Sequence, residues 1–138
     1  MSCRATVTFS DEVKEKFKEF QETKFDYLIL TFEITPENNV ELDLAQAGKM
    51  FEEFHKNITT GTECRIGLLR IKSCIFFVVW QPIEAKIKAK MLLCASKDYI
   101  KKSLPGVTFE VGANDPSDIS LDILIDRIES YKSSERNK

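Results

Sequence analysis

Between Pro82 and the Pro105-Gly106 pair runs the longest stretch of this chain that a helix can occupy. Proline cannot continue a helix from within and a following Pro-Gly pair stops one, so the spacing predicts a single long helix ending at Leu104. Immediately before it stands Cys74-Ile-Phe-Phe-Val-Val-Trp80, apolar at every position. A strand with one wet face alternates. A strand apolar throughout is covered on both faces. These two neighbours therefore require a sheet with layers on both sides and a long helix in one of them.

With residues placed about 100° apart and Lys86 at zero, Ala95, Tyr99, Leu92, Ser96, Ala89, Ile100, Leu93 and Leu104 fill an arc from roughly 180° to 360°. That arc is read as the buried face. Lys86, Lys97, Lys90 and Lys101 fall within about 60° of one another, and Cys94, Ile87 and Met91 lie beside them, away from the core arc. A solvated helix face mixes charges of both signs. An apolar pair rimmed by lysines instead suits a partner with an apolar cleft edged by carboxylates. The alternative is that another segment of the same chain covers Ile87 and Met91.

The other elements follow in order. Thr6–Phe9 is a short strand, and Ser10 caps a helix with Val13, Phe17 and Phe20 at helical spacing. Phe25–Ile34 is a strand, Pro36–Asn39 a turn, and Val40–Leu44 a second strand. Ala47–Ile58 is a helix with Met50, Phe51, Phe54 and Ile58 as its apolar face. Glu63–Leu69 and Ser73–Trp80 are strands joined by the tight link Arg70-Ile71-Lys72, with two positive charges at its tip. After the long helix come a strand, Val107–Val111, a turn-rich loop, and a last helix starting at Asp118 or Ser120 with Leu121, Leu124, Ile125 and Ile128. The expectation is an α/β (α+β) single domain over residues 1–131, a central mixed sheet of five to six strands with helices on both faces, and a flexible tail over 132–138.

Composition excludes several function classes. At 138 residues with 43% hydrophobic content the chain makes one globular core. The net charge is −2, yet residues 83–104 carry +4 and the remainder −6. One local basic patch on an acidic protein argues against a nucleic-acid partner. Cys3, Cys64, Cys74 and Cys94 form no CxxC, and His55 is the one histidine, so no metal site is expected and the thiols are read as reduced. No leader or membrane-spanning run is visible. No Gly-rich phosphate loop or nucleophile elbow supports catalysis, and no cofactor is implied.

Trp80-Gln81-Pro82, Lys88-Ala89-Lys90-Met91, Ala95-Ser96-Lys97-Asp98 and Leu104-Pro105-Gly106-Val107 together resemble the central signature of the actin-depolymerising factor/cofilin family. That signature runs Trp-x-Pro-Asp, basic-x-Lys-Met, Ala-Ser-Ser-Lys-Asp and Leu-x-Gly-Val, and the element order matches that family's cofilin-homology (gelsolin-like) fold along essentially the whole chain. The resemblance implies a cytoplasmic, cytoskeletal, monomeric domain that binds actin monomers and filament sides, prefers ADP-actin and accelerates filament turnover. It assigns Lys88, Lys90 and Met91 to the monomer site, with Ile87 and Lys86 beside them, the N-terminal segment around Ser2 and Arg4 on the same surface, and the start of the last helix flanking it. A second, filament-specific surface falls on Arg70 and Lys72 and on Asp126 and Arg127. The stripe of Lys86, Lys90, Lys97 and Lys101 is also a candidate for phosphoinositide head groups.

The departures from the pattern are specific. Ile83 stands where the family has Asp, Leu93-Cys94 replaces Tyr-Ala, a single Ser precedes Lys97, and Ser130 replaces a basic residue. The hairpin at Arg70–Lys72 is shorter than in strongly severing members. The position of the family's inhibitory phosphoserine falls near Ala5, with Ser2 the neighbouring hydroxyl. These changes bear on filament binding and severing more than on monomer binding. A glia-maturation-factor-like adaptor acting on the branched-filament nucleating complex is the alternative within the same fold.

Overall fold

The computed structural model of the chain describes residues 6–136. Its elements run β1 (Val7–Phe9), α1 (Asp11–Gln21), β2 (Tyr27–Ile34), β3 (Val40–Gly48), α2 (Phe51–Ile58), β4 (Arg65–Ile71), β5 (Cys74–Trp80), α3 (Ile87–Ser103), β6 (Phe109–Ala113), a 3-10 turn at Pro116–Ile119, and α4 (Leu121–Arg136). The six strands form one mixed sheet in the order β1-β3-β2-β4-β5-β6. The outer pairs β1–β3 and β5–β6 are parallel, and the three inner pairings are antiparallel. Element order and sheet type are those read from the sequence.

Period-two alternation divides the core in two. On one face Leu28, Leu30, Ile66, Leu68, Phe77 and Val79 pack against α1 and α3 through Val13, Phe20, Leu93 and Ile100. On the other, Tyr27, Ile29, Phe76, Val78 and Trp80 pack against α2 and α4 through Phe54, Ile58, Leu124 and Ile128. Phe76 through Trp80 are all buried, which is why β5 contains no polar residue. Gly67 on β4 lets α2 approach: a Cβ there would lie 2.7 Å from Ile58 Cδ1 and 2.8 Å from the Phe54 ring. Ser10 caps α1 as expected, its Oγ accepting from the Val13 N–H at 3.2 Å.

Several boundaries differ from the sequence reading. β3 continues to Gly48, opposite Tyr27, after a bulge at Ile29/Leu30, so α2 starts at Phe51 rather than Ala47. Met50 therefore precedes the helix and is exposed. β4 extends through Ile71, which leaves Lys72 and Ser73 as a two-residue turn with φ of 50° and 69°. Two positive φ values match the right-handed twist of a hairpin. The last strand begins at Phe109, and α4 continues to Arg136, five residues past the expected domain end. α3 begins at Ile87, because Pro82 opens a turn, with the Ala85 N–H donating to the Pro82 carbonyl at 3.0 Å, and the first helical bond runs from Lys90 N–H to Lys86 O.

Candidate functional site

The buried line on α3 is Leu93, Ser96, Ile100 and Leu104, narrower than the expected arc. Ala89 and Leu92 are half-buried, whereas Ala95 and Tyr99 face solvent. On the same wheel the buried line centres near 320°, so positions near 20° and 60° border the core, and those from about 80° to 220° point outward. This rotation separates residues that the sequence reading had grouped.

Lys97 and Lys101 sit at the core border, over β6. Their ammonium groups bond the two carboxylate oxygens of Glu110 at 2.9 and 3.0 Å. The hydrogen bond from Lys97 holds the Glu110 carboxyl below its ordinary range, against the cost of partial burial, and the same bond raises the Lys97 ammonium. Lys90 is half-buried and donates to the Ile83 carbonyl at 2.9 Å. The expected stripe of four free lysines is thus corrected: of Lys86, Lys90, Lys97 and Lys101, three are engaged within the chain. Lys86 remains exposed at the helix N-cap.

The outward face carries a different set. Ile87 is 75% exposed and Met91 67% exposed, one turn apart, with exposed Lys88 beside them. Among the described residues no other segment covers the pair. Ile83, on the turn before the helix, is 72% exposed. A hollow of about 330 Å³ separates this turn from the β6–α4 connection and is lined by Gln81, Ile83, Lys90, Gly112, Asn114 and Asp118. The connection is stiff. Asp118 accepts from the backbone N–H groups of Asn114 and Asp115, and Asp115 accepts from Ser117. Those Ser117 bonds lower the Asp115 carboxyl below its usual range. Ser2 and Arg4, expected on this surface, lie outside the described residues.

The expected filament surface is rearranged. Arg70 belongs to β4 and turns inward, donating to the carbonyls of Phe20 at 2.7 Å and Phe25 at 2.8 Å, pairing with Asp26 at 3.4 Å, and stacking 4.2 Å from the centroid of the Phe20 ring. It is a structural clamp on the end of α1, and the hairpin tip presents Lys72 alone of the two expected charges. Asp126 and Arg127 are exposed on α4. Arg127 donates to the Glu110 carbonyl at 3.1 Å and lies 5.3 Å from the centroid of the Phe109 ring. Glu110 is the residue the sequence reading missed. Its signal was a carboxylate between Phe109 and Val111, a charge inside an otherwise apolar strand.

His55 joins two elements: its Nε2 bonds the Pro116 carbonyl at 2.9 Å. Cys64 is buried, Cys74 half-buried and Cys94 exposed, all as free thiols, and burial raises the Cys64 thiol. Among the described residues no cluster of three His, Cys, Asp or Glu is placed to hold a metal ion, and no helix is long and apolar enough to cross a membrane.

The profile of the cofilin/tropomyosin-type actin-binding proteins matches residues 6–129, nearly the whole described chain. The chain belongs to the actin-depolymerising factor/cofilin family. Actin-depolymerizing factor 6 of Oryza sativa subsp. japonica is 35% identical over 125 residues, spanning 83% of this chain and 88% of that protein. The cofilin of Streptomyces griseoflavus superposes with a TM-score of 0.73 at 25% identity, over 88% of this chain and 96% of its own. The glia maturation factor of Caenorhabditis elegans superposes with a TM-score of 0.67 at 23% identity, covering 91% and 99%, and shares the fold alone. The adaptor alternative is accordingly not favoured. The family consists of actin-binding regulators, not enzymes.

Proposed function

We propose that this cofilin-family chain binds actin monomers through the outward face of α3 and promotes the disassembly and turnover of filaments at the cytoskeleton. The observation that carries the reading is the ridge of Ile87 and Met91, exposed one turn apart beside Lys88 on the helix that bears the family signature. Large apolar side chains left bare next to a cation suit a partner cleft with an acidic rim. By family resemblance the protein acts as a monomer, favours ADP-actin, and adds the segment around Ser2 and Arg4 to the contact. Lys86 contributes charge at the helix start. A phosphoinositide role for the lysine stripe gains nothing from the geometry, since Glu110 holds Lys97 and Lys101.

The test is the affinity of the protein for ADP- and ATP-actin monomers, measured together with pelleting alongside filaments. Replacing Lys88 and Met91 with Ala is expected to weaken monomer binding at least tenfold while leaving the melting temperature unchanged, because both side chains are exposed. Unchanged affinity in the folded variant would remove the site. A wild-type protein that neither binds monomers nor depolymerises filaments would remove the function.

A further inference from the structure

Strand β6 is one outer edge of the sheet: it pairs with β5, and among the described residues no strand pairs with its other side. The Ala113 carbonyl accepts from the Gln81 N–H at 2.8 Å, so Ala113 turns its backbone towards β5. Alternation along the strand then points the backbone groups of Val111 to β5 and those of Glu110 and Gly112 off the sheet. Arg127 agrees with this direction, because it reaches the Glu110 carbonyl from α4 at 3.1 Å. Outward N–H and C=O groups on an edge are a template for another strand. The opposite edge strand, β1, is blunted by its length of three residues. β6 has five, and Gly112 is exposed, with nothing within 4 Å of where a Cβ would stand. The layers beside β6 are open as well. A trough of about 620 Å³ is lined by Phe109 of β6 and by Ile123, Arg127 and Tyr131 of α4, and the 330 Å³ hollow opens at Gly112. Ile123 is 47% exposed and Tyr131 49% exposed along that trough.

We infer that the outer edge of β6 is a pairing surface for a second copy of this chain, and that Arg127 keeps it shut in the monomer. The inference goes beyond the actin reading and does not depend on it. Two β6 strands running antiparallel about a twofold axis at Val111 set Glu110 of each copy opposite Gly112 of the other. These are the residues whose N–H and C=O point outward, so each such pair exchanges both backbone bonds. Gly112 leaves room for the Glu110 side chain that arrives across from it. That carboxylate brings no uncompensated charge, since Lys97 and Lys101 of its own chain hold it. The same axis brings the two troughs together, and the half-bare Ile123 and Tyr131 of each copy gain apolar cover. Arg127 opposes this union. It occupies the Glu110 carbonyl, lies 5.3 Å from the centroid of the Phe109 ring, and meets its own counterpart near the axis, like charge against like.

The experiment is sedimentation velocity over a concentration series, with amide hydrogen exchange on the same samples and thermal melts as the folding control. Arg127→Ala is expected to lower the dimer dissociation constant about tenfold from the wild-type value, the worth of one competing charged hydrogen bond. In that variant the Glu110 and Gly112 amides should exchange more slowly as concentration rises. Adding Gly112→Pro removes an outward N–H and leaves the pairing with β5 intact, so it should return the protein to a monomer. Ile123→Asp, at an exposed site on α4, should weaken the dimer severalfold and serves if the proline variant does not fold. An Arg127→Ala protein that stays monomeric at the highest concentrations overturns the inference. Association with unslowed Glu110 and Gly112 amides, or association that persists in folded Arg127→Ala/Gly112→Pro, places the contact elsewhere and overturns the edge pairing. A wild type that dimerises as tightly as Arg127→Ala overturns the guarding role of Arg127. No readout involves actin, so failure of the actin reading is separately visible.

Discussion

Arg70 shows how far one side chain can depart from what its position in the chain implies. At a hairpin tip an arginine is a surface charge. Here β4 runs longer than the sequence reading, so residue 70 falls within the sheet and its guanidinium turns back to α1. Its acceptors are the Phe20 carbonyl in the last turn of α1, which also takes the Thr23 N–H, and the Phe25 carbonyl in the loop before β2. Arg70→Ala is expected to destabilise the fold by about 2–3 kcal/mol, because it removes two charge-assisted hydrogen bonds and bares the Phe20 ring. Urea unfolding checks the value, and Arg70→Lys should recover only part of it, since an ammonium group cannot span the same acceptors. Actin affinity per folded molecule should not change. A stable Arg70→Ala variant with weakened filament binding would restore Arg70 to the surface role. The sequence could not show this arrangement. The partners of Arg70 are up to 50 residues away, and no local pattern encodes a contact of that range.

At the scale of elements, much was legible and the reasons are physical. Alternation in β2 and the unbroken apolar run of β5 announce a sheet covered on both faces. Ser10 announces the start of α1. The orientation of α3 was less legible. A helical wheel treats Ala95 and Tyr99 as apolar, but the face that meets the core is Leu93, Ser96, Ile100 and Leu104, with Ala89 and Leu92 half-buried beside them. The wheel also reads four lysines as one stripe, because it has no term for a carboxylate on a neighbouring strand. Glu110 supplies that term and ties α3 to the edge strand β6. The resulting link depends on pH in a defined direction. The folded Glu110 carboxyl titrates below its unfolded value, so its contribution is complete above the ordinary carboxylate range and is lost as pH falls through the folded value. Lys97 titrates higher when folded, so its contribution holds up to the ordinary lysine range and is lost only as pH rises through the folded value. Glu110→Gln is therefore expected to cost no more than about 1 kcal/mol near neutral pH, given that the lysines are 36% exposed. It should also flatten the acid limb of the stability profile between the two carboxyl values. An acid limb identical to wild type would show that the clamp contributes nothing.

Across the whole molecule, the two ends of the sheet are unequally equipped for actin. One side of α3 offers the exposed pair Ile87 and Met91 beside Lys88, on a helix whose start is set by the turn at Pro82. The filament surface implied by the family resemblance is thin by comparison. Its hairpin is a two-residue turn, too short to project beyond the sheet edge, and contributes Lys72 alone once Arg70 is engaged with α1. Of the α4 pair, Arg127 leans onto β6 through the Glu110 carbonyl and the Phe109 ring. Ser130 adds no charge. A filament-side binder must hold a second actin subunit as well as the one gripped by α3, and few charges here are free to do so. The expected outcome is a protein that binds monomers well, depolymerises filaments from their ends, and severs weakly even at stoichiometric doses. The opposing contribution is the length of α4, which carries exposed Lys132 past Tyr131, whose ring packs edge-on to Phe109, and extends helically to Arg136. Imaging of single filaments separates the two. Frequent internal breaks at low occupancy would show that α4 supplies the missing contact, and truncation after Tyr131 should then abolish those breaks. Shrinkage from filament ends with few internal breaks, unaffected by that truncation, is the behaviour a two-residue hairpin and an inward-turned Arg70 produce.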